Sequence, residues 1–220
     1  IAQMSIFKKL NIERPSDLER QAIRNLSPER VGRFTASEIH KIMGKGTKGN
    51  EFSQTAYTYI AQKAYEAVIG YSEMGSPYNG PAAQWGIDNE PFAIRMLSLQ
   101  KFEGVFIHPD LRLAATPDAI DNKGQTHEIK SPYTFANTTR YLQIANIDEV
   151  ANTTPEYFWQ VIAQIVAAKA DCGFLHFYDA RREIIKSICF EASQIDEHAK
   201  RLIDRLKEAE TMLQSLKKSL

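Results

Sequence analysis

What the chain lacks narrows its function first. Two cysteines, Cys172 and Cys189, in 220 residues form neither a disulfide framework nor a zinc cluster, and cannot supply a four-cysteine iron–sulfur centre. Charge of one sign is missing too. Lys and Arg number 27, Asp and Glu 27, so bulk charge gives no support for nucleic-acid binding. No apolar run reaches bilayer-spanning length and the N-terminus lacks the apolar core of a signal peptide, so a cytoplasmic protein without membrane association is expected. The five histidines are scattered without zinc spacing. There is no Gly-x-Ser-x-Gly elbow, phosphate-binding P-loop or dinucleotide fingerprint.

At 43% hydrophobic and 25% charged residues, the chain can bury one α/β or α+β core, a single domain over 1–220. Charge is unevenly spread. Residues 1–50 hold ten Lys/Arg against five Asp/Glu, leaving +5 there and −5 in the remainder. Such asymmetry fits phosphate contacts on one side and metal ligands on the other, and also arises by chance. Apolar spacing predicts helices over 15–26, from Thr35 through a Thr35-x-x-Glu38 capping box, over 53–69, over 82–100 with a kink or restart at Pro91, and over 155–170. Strands are predicted at Val105–Ile107, Arg112–Thr116, around Glu128, and as a hairpin of Phe174–Tyr178 with Glu183–Phe190. The two cysteines flank that hairpin and are expected as buried free thiols. An amphipathic helix of about 193–218 closes the chain, packed either on the domain's own sheet or in a seam between subunits.

The chemistry concentrates between Pro117 and Lys130. In a strand, Glu128 and Lys130 point one way and Ile129 the other. A reversal at Asn122-Lys123-Gly124 returns this strand beside one ending at Asp118. Two carboxylates and an ammonium then meet, a donor set suited to Mg²⁺ with a cation to orient water. Singly, each residue has an ordinary reading: Pro-Asp starts turns, and Glu128 with Lys130 could be an exposed strand face. Glu90, before Pro91, is either a third acid facing the site or an acidic residue favoured at a helix start. Arg30 and Ser37 either cap a helix or form a phosphate pocket beside its free N–H groups. Gln160 and Gln164 lie one turn apart on one helix face. His127 alternates away from Glu128 and reads as structural.

Five short motifs in order, Arg30-Val-Gly-Arg-Phe-Thr-Ala-Ser37-Glu, Trp85-Gly-Ile-Asp-Asn-Glu90, Ala115-Thr-Pro-Asp118, Glu128-Ile-Lys130-Ser-Pro and Tyr157-Phe-Trp-Gln160-Val, resemble the bacteriophage lambda-type alkaline exonucleases. These are the YqaJ-like viral recombinases of the PD-(D/E)XK nuclease superfamily. The resemblance implies a restriction-endonuclease-like central mixed β-sheet flanked by helices. It also implies a Mg²⁺-dependent 5′–3′ exonuclease acting on one strand of double-stranded DNA for recombination by single-strand annealing. Two Mg²⁺ ions, replaceable by Mn²⁺, would be held by Asp118, Glu128, the Ile129 carbonyl and Glu90. Lys130 would position the attacking water, Gln160 support the cluster, and Arg30 and Ser37 grip a 5′ phosphate. The resemblance further implies a homotrimeric ring and a single-strand annealing protein as partner. Ala119 and Ser131 depart from the family's frequent Gly and Cys, and Ala83 stands where an apolar strand-separating wedge is expected. The 44–50 loop and Tyr78 are the candidate substitutes. Two readings stay open beside this one: a same-fold nuclease of other polarity or endonucleolytic habit, and a non-catalytic DNA-end-binding protein.

Overall fold

A computed structural model describes residues 28–47, 52–72 and 80–220. The helix expected over 15–26, the end of the 44–50 loop and Tyr78 lie outside the described residues. The first half comprises β1 (Phe34–Thr35), α1 (His40–Met43), α2 (Gln54–Ile69), α3 (Pro81–Met96), β2 (Gln100–Lys101), β3 (Phe106–Ile107), β4 (Leu113–Ala115) and β5 (Ala119–Ile120). There follow β6 (Thr126–Lys130), α4 (Phe135–Leu142), α5 (Ile147–Thr153), α6 (Pro155–Ala168), β7 (Cys172–Asp179), β8 (Ile184–Glu191) and α7 (Ala192–Lys217).

The central sheet is mixed, in the order β2-β5-β6-β7-β8, with β6 and β7 parallel and the other neighbours antiparallel. A smaller sheet, β1-β4-β3, lies beside it. Strand alternation gives the central sheet two different faces. Leu175 and Phe177 pack with Val161, Ile162 and Ile165 of α6 in the main core. Ile129, Ala119 and Tyr178 pack with Phe92, Ala93 and Ile94 of α3. Glu128 is in register with Leu175, so its side chain emerges on the α6 face.

Helix boundaries follow capping chemistry where the caps are local. Ser53 accepts a hydrogen bond from the Ala56 N–H to start α2, and Gly70, at φ 80°, ends it in the left-handed region. Pro155 at the first turn of α6 has its fixed φ already helical. Three expectations need correction. Thr35 starts no α-helix and its side chain makes no capping hydrogen bond: it closes β1, and its N–H and hydroxyl engage the buried Tyr59 hydroxyl at 3.0 and 3.3 Å. That tertiary contact takes the group the capping box required, and a short 3₁₀ turn over Ala36–Glu38 precedes α1. Of the kink or restart expected at Pro91 the restart does not occur, since α3 runs from Pro81 to Met96 with the proline inside it. Burial of Phe92, Ala93 and Ile94 on the sheet outweighs the backbone hydrogen bond that proline forfeits. Finally, Asp118 does not end a strand. It leads into β5, since the strand before it, β4, belongs to the smaller sheet.

Helix α7 covers α1, α2 and α6 more than any sheet, burying Ile195, Leu202, Leu206, Ala209 and Leu213. Arg205 donates to the carbonyl of Ile42 at 2.8 Å and of Gly44 at 3.1 Å, tying α7 to the end of α1. Cys172 and Cys189 are free thiols placed diagonally, since Cys172 faces Glu191 and Cys189 faces Phe174. His127 lies, as its alternation required, on the face away from Glu128. There it stacks with Phe174 and shares a 2.9 Å hydrogen bond with His176. Among the described residues no helix is long and apolar enough to cross a membrane.

Candidate active site

The crossing from the small sheet to the central one sets the first acidic group. After β4 the chain passes Thr116 and Pro117, and Asp118 then meets β6. Its N–H donates to the His127 carbonyl at 3.0 Å, and its Oδ2 accepts from the Ile129 N–H at 2.6 Å. In an antiparallel pair alternate residues offer both backbone groups to the same neighbour. The Ile129 carbonyl therefore leaves β6 on the same edge as its N–H, the edge where Asp118 stands. The expected reversal is present, closed by Asp121 Oδ1, which accepts from the Lys123 and Gln125 N–H groups at 2.9 Å.

Glu128 is 3% exposed and held at both oxygens. Oε1 accepts from Lys130 Nζ at 2.5 Å and Gln160 Nε2 at 2.7 Å, while Oε2 accepts from Gln164 Nε2 at 2.5 Å. Glu90 arrives from the turn of α3 before Pro91 and carries a 3.5 Å ion pair with Lys101. Glu90, Asp118, Glu128, Ile129 and Lys130 share the wall of one cavity of about 240 Å³, closed by Gly86, Ile87, Pro132 and Tyr157. The Lys130 ammonium also lies 4.8 Å from the Tyr157 ring centre.

Charge in this cavity is unbalanced. Burial raises the Asp118 carboxyl well above the usual carboxylate range, and the neighbouring Glu128 and Glu90 raise it further, against the opposing pull of Lys130 and the Ile129 N–H. Burial likewise raises Glu90, with Lys101 opposing and Glu128 adding. Burial alone would lower Lys130, but Glu128 and Asp118 override it, so its ammonium is held more firmly protonated than usual. Burial pushes the Tyr157 hydroxyl up to about 12, which keeps it neutral.

Among the described residues no three His, Cys, Asp or Glu side chains are grouped so that they could hold a metal ion. The donor set nonetheless fits a hard divalent ion. Every candidate ligand is oxygen, which suits Mg²⁺ or Mn²⁺ rather than a thiolate-seeking metal. The unfavourable ionisation of Asp118 and Glu90 is what a nearby cation would relieve.

Six of the residues singled out in the sequence thus meet: Glu90, Asp118, Glu128, Ile129, Lys130 and Gln160. Arg30 and Ser37 do not line this cavity. Arg30 closes a 3₁₀ turn over Pro28–Arg30, and Ser37 sits exposed in the next one. The loop between them is fixed at Gly32, whose φ is 65°; a Cβ there would lie 2.7 Å from Ala67 Cβ. Its N–H donates to the buried Glu66 at 3.1 Å. Two contributors carry no site role in the sequence analysis. Gln164 could have been chosen from its one-turn spacing to Gln160, whereas Lys101 gave no signal.

The YqaJ-like viral recombinase domain model matches residues 27–171. A search of curated proteins returns no match. Among solved structures, LHK-Exo in complex with dAMP is similar with a TM-score of 0.62 at 22% identity, covering 87% of this chain and 95% of that one. The alkaline exonuclease LHK-Exo from Laribacter hongkongensis gives 0.61 at 22% identity, over 86% and 94% of the two chains. A phage-related exonuclease from Haemophilus somnus 129PT gives 0.58 at 14% identity, over 90% and 99%. These similarities place the chain in the alkaline exonuclease fold, helices on a mixed sheet, and the five motifs from Arg30 to Val161 lie inside the matched domain. The chain belongs to the YqaJ-like viral recombinase family.

Proposed function

We propose that the chain is a Mg²⁺-dependent exonuclease that digests one strand of linear double-stranded DNA from a 5′-phosphorylated end. The observation that carries this reading is the convergence of Glu90, Asp118 and Glu128 on one cavity with the Lys130 ammonium inside it. Three acids against the ammoniums of Lys130 and Lys101 leave negative charge that a divalent cation would offset. Asp118, Glu128, Glu90 and the Ile129 carbonyl are the groups to hold it, with Mn²⁺ able to take the place of Mg²⁺. Held by these groups, such a cation would polarise a phosphodiester and lower the pKa of an attacking water.

The protein's own groups supply the rest. Lys130, kept protonated by Glu128 and Asp118, places positive charge where the phosphorane transition state gathers negative charge, and it orients the water. Gln160 and Gln164 fix the Glu128 carboxylate from the α6 side, so its lone pairs keep one direction through the reaction. The 5′ preference is assigned to Arg30 and Ser37 beside the rigid Gly32 turn. Relatives of the same fold carry the names alkaline exonuclease and phage-related exonuclease, which supports the reaction class. A homotrimeric ring and a single-strand annealing protein as partner belong to the same proposal, carried by the family resemblance. Light scattering and co-purification test them.

The decisive experiment is a time course on linear duplex labelled separately at each end, with Mg²⁺ and then with EDTA. Release of 5′ label first, faster from phosphorylated ends and stopped by EDTA, is expected. Release of 3′ label first assigns the other polarity. No hydrolysis of any duplex in Mg²⁺ or Mn²⁺ overturns the catalytic reading in favour of end binding.

A further inference from the structure

Next to the cavity lies an aromatic surface that phosphodiester hydrolysis does not use. Trp85 stands beside the α3 residues that line the cavity, and Tyr133 follows directly on Pro132, also part of its wall. The Trp85 and Tyr133 rings meet edge-on at 6.0 Å. Arg181, from the β7–β8 turn, lies between rings, its guanidinium 4.4 Å from the Trp85 ring centre and 5.0 Å from that of Phe135. It donates to the Tyr133 carbonyl at 2.7 Å. Among the described residues no carboxylate forms an ion pair with Arg181, so its charge remains available.

Phe135 is 75% exposed at the N-terminal turn of α4, and Tyr133 is 42% exposed. An apolar ring this exposed covers no core of its own and loses contact with water only when something lies on it. A groove continues from Phe135 between α4 and the β7–β8 turn, with the exposed Thr139 and Gln143 and the guanidinium of Arg182 along it. Its carboxylate, Asp179, is paired with Arg182 at 2.5 Å and carries little net charge outward.

We propose that Tyr133, Phe135 and Arg181 form a stacking platform for single-stranded DNA at the mouth of the cavity, the rings taking bases and the guanidinium a phosphate. Planar rings alternating with an unpaired cation are the chemistry of sequence-tolerant single-strand binding. Trp85 and Tyr133 adjoin Gly86 and Pro132, which line the same cavity as Lys130, so the rings stand next to that cavity. The proposal rests on the exonuclease reading for its choice of DNA, but the contact itself needs no hydrolysis.

The test is fluorescence anisotropy of a short fluorescein-labelled oligodeoxythymidylate titrated with the full chain in EDTA, where cleavage cannot contribute. Phe135→Ala should weaken binding roughly five- to hundredfold. Phe135→Tyr should restore it, since the tyrosine keeps the ring. Arg181→Ala should weaken binding and also flatten the salt dependence by about 0.7 in log–log slope, the signature of one lost phosphate contact to a single strand. Wild-type affinity in Phe135→Ala, or unchanged salt dependence in Arg181→Ala, would overturn the platform even if the wild type digests DNA. No binding by the wild type would overturn it too. A wild type that binds through Phe135 yet cleaves nothing in Mg²⁺ overturns only the reading of the cavity.

Discussion

Asp118→Asn should make the metal-free protein more stable while destroying its activity. The reasoning starts from the cavity. The Asp118 carboxylate is buried beside Glu128 and Glu90, and its folded-state pKa is raised by that burial and those charges. A raised carboxyl means that the folded state binds its proton more tightly than the unfolded state. Its contribution to stability is therefore fully present below the unfolded value and is lost as pH rises through the folded one. Asparagine removes the charge and keeps the acceptor that the Ile129 N–H needs at 2.6 Å, so the backbone bond survives. Relief of active-site strain of this kind typically gains ~1–2 kcal/mol, and 1 kcal/mol moves the midpoint of a domain this size by about 2–4 °C.

Thermal unfolding of wild type and Asp118→Asn, in EDTA and in saturating Mg²⁺, reads this directly. In EDTA at about pH 8 the variant should melt ~2–8 °C higher, with the gap closing towards acid. Mg²⁺ should stabilise only the wild type, by about 2.7 kcal/mol when the ion is a hundredfold above its dissociation constant. A variant that melts lower in EDTA would show that Asp118 is not held against repulsion. An equal Mg²⁺ gain in both proteins would show that Asp118 is no ligand.

Other outcomes follow from single contacts. Lys130→Ala should lower the rate of duplex digestion by at least about 10²-fold, measured by release of end label under saturating Mg²⁺, and should lower the metal-free melting temperature because buried Glu128 loses its ammonium partner. Arg30→Ala should erase the preference for phosphorylated over hydroxyl 5′ ends, read as the ratio of their initial rates. Gln164→Leu removes one of the hydrogen bonds that fix Glu128 and should raise the Mg²⁺ concentration for half-maximal activity about 10- to 100-fold. His176, pulled down to about 3 by burial with His127 adding, is neutral in the fold but binds a proton when unfolded. Its contribution is intact above about pH 6.5 and should fall by ~2 kcal/mol by about pH 5. His176→Gln should show a smaller loss of melting temperature over that interval, and an equal loss would refute the assignment.

The elements legible in the sequence were those whose signals are local. Helix α2 carries its own Ser53 cap and Gly70 stop, α6 its Pro155, and the β7–β8 hairpin its turn, so periodicity alone located them. Thr35 misled because Tyr59, 24 residues away, claims the group a capping box would use. Pro91 restarts no helix because the burial of Phe92, Ala93 and Ile94, which local propensity cannot weigh, holds the segment in α3. The site divides the same way. Alternation along β6 is enough to put Glu128 and Lys130 on one face and Ile129 on the other. What brings Asp118 to them is a passage between two sheets, and what fixes Glu128 is a helix 32 residues further on. Neither leaves a periodic trace. The same holds for the aromatic rim, where Trp85, Tyr133 and Arg181 come from three elements and only the fold makes them neighbours. Chemistry carried by one strand is therefore readable from spacing, while the groups that orient it and guide a substrate towards it are set by tertiary contact. Substitutions at Gln164 and Phe135 accordingly test the architecture of the site, and those at Asp118 and Lys130 test its reaction.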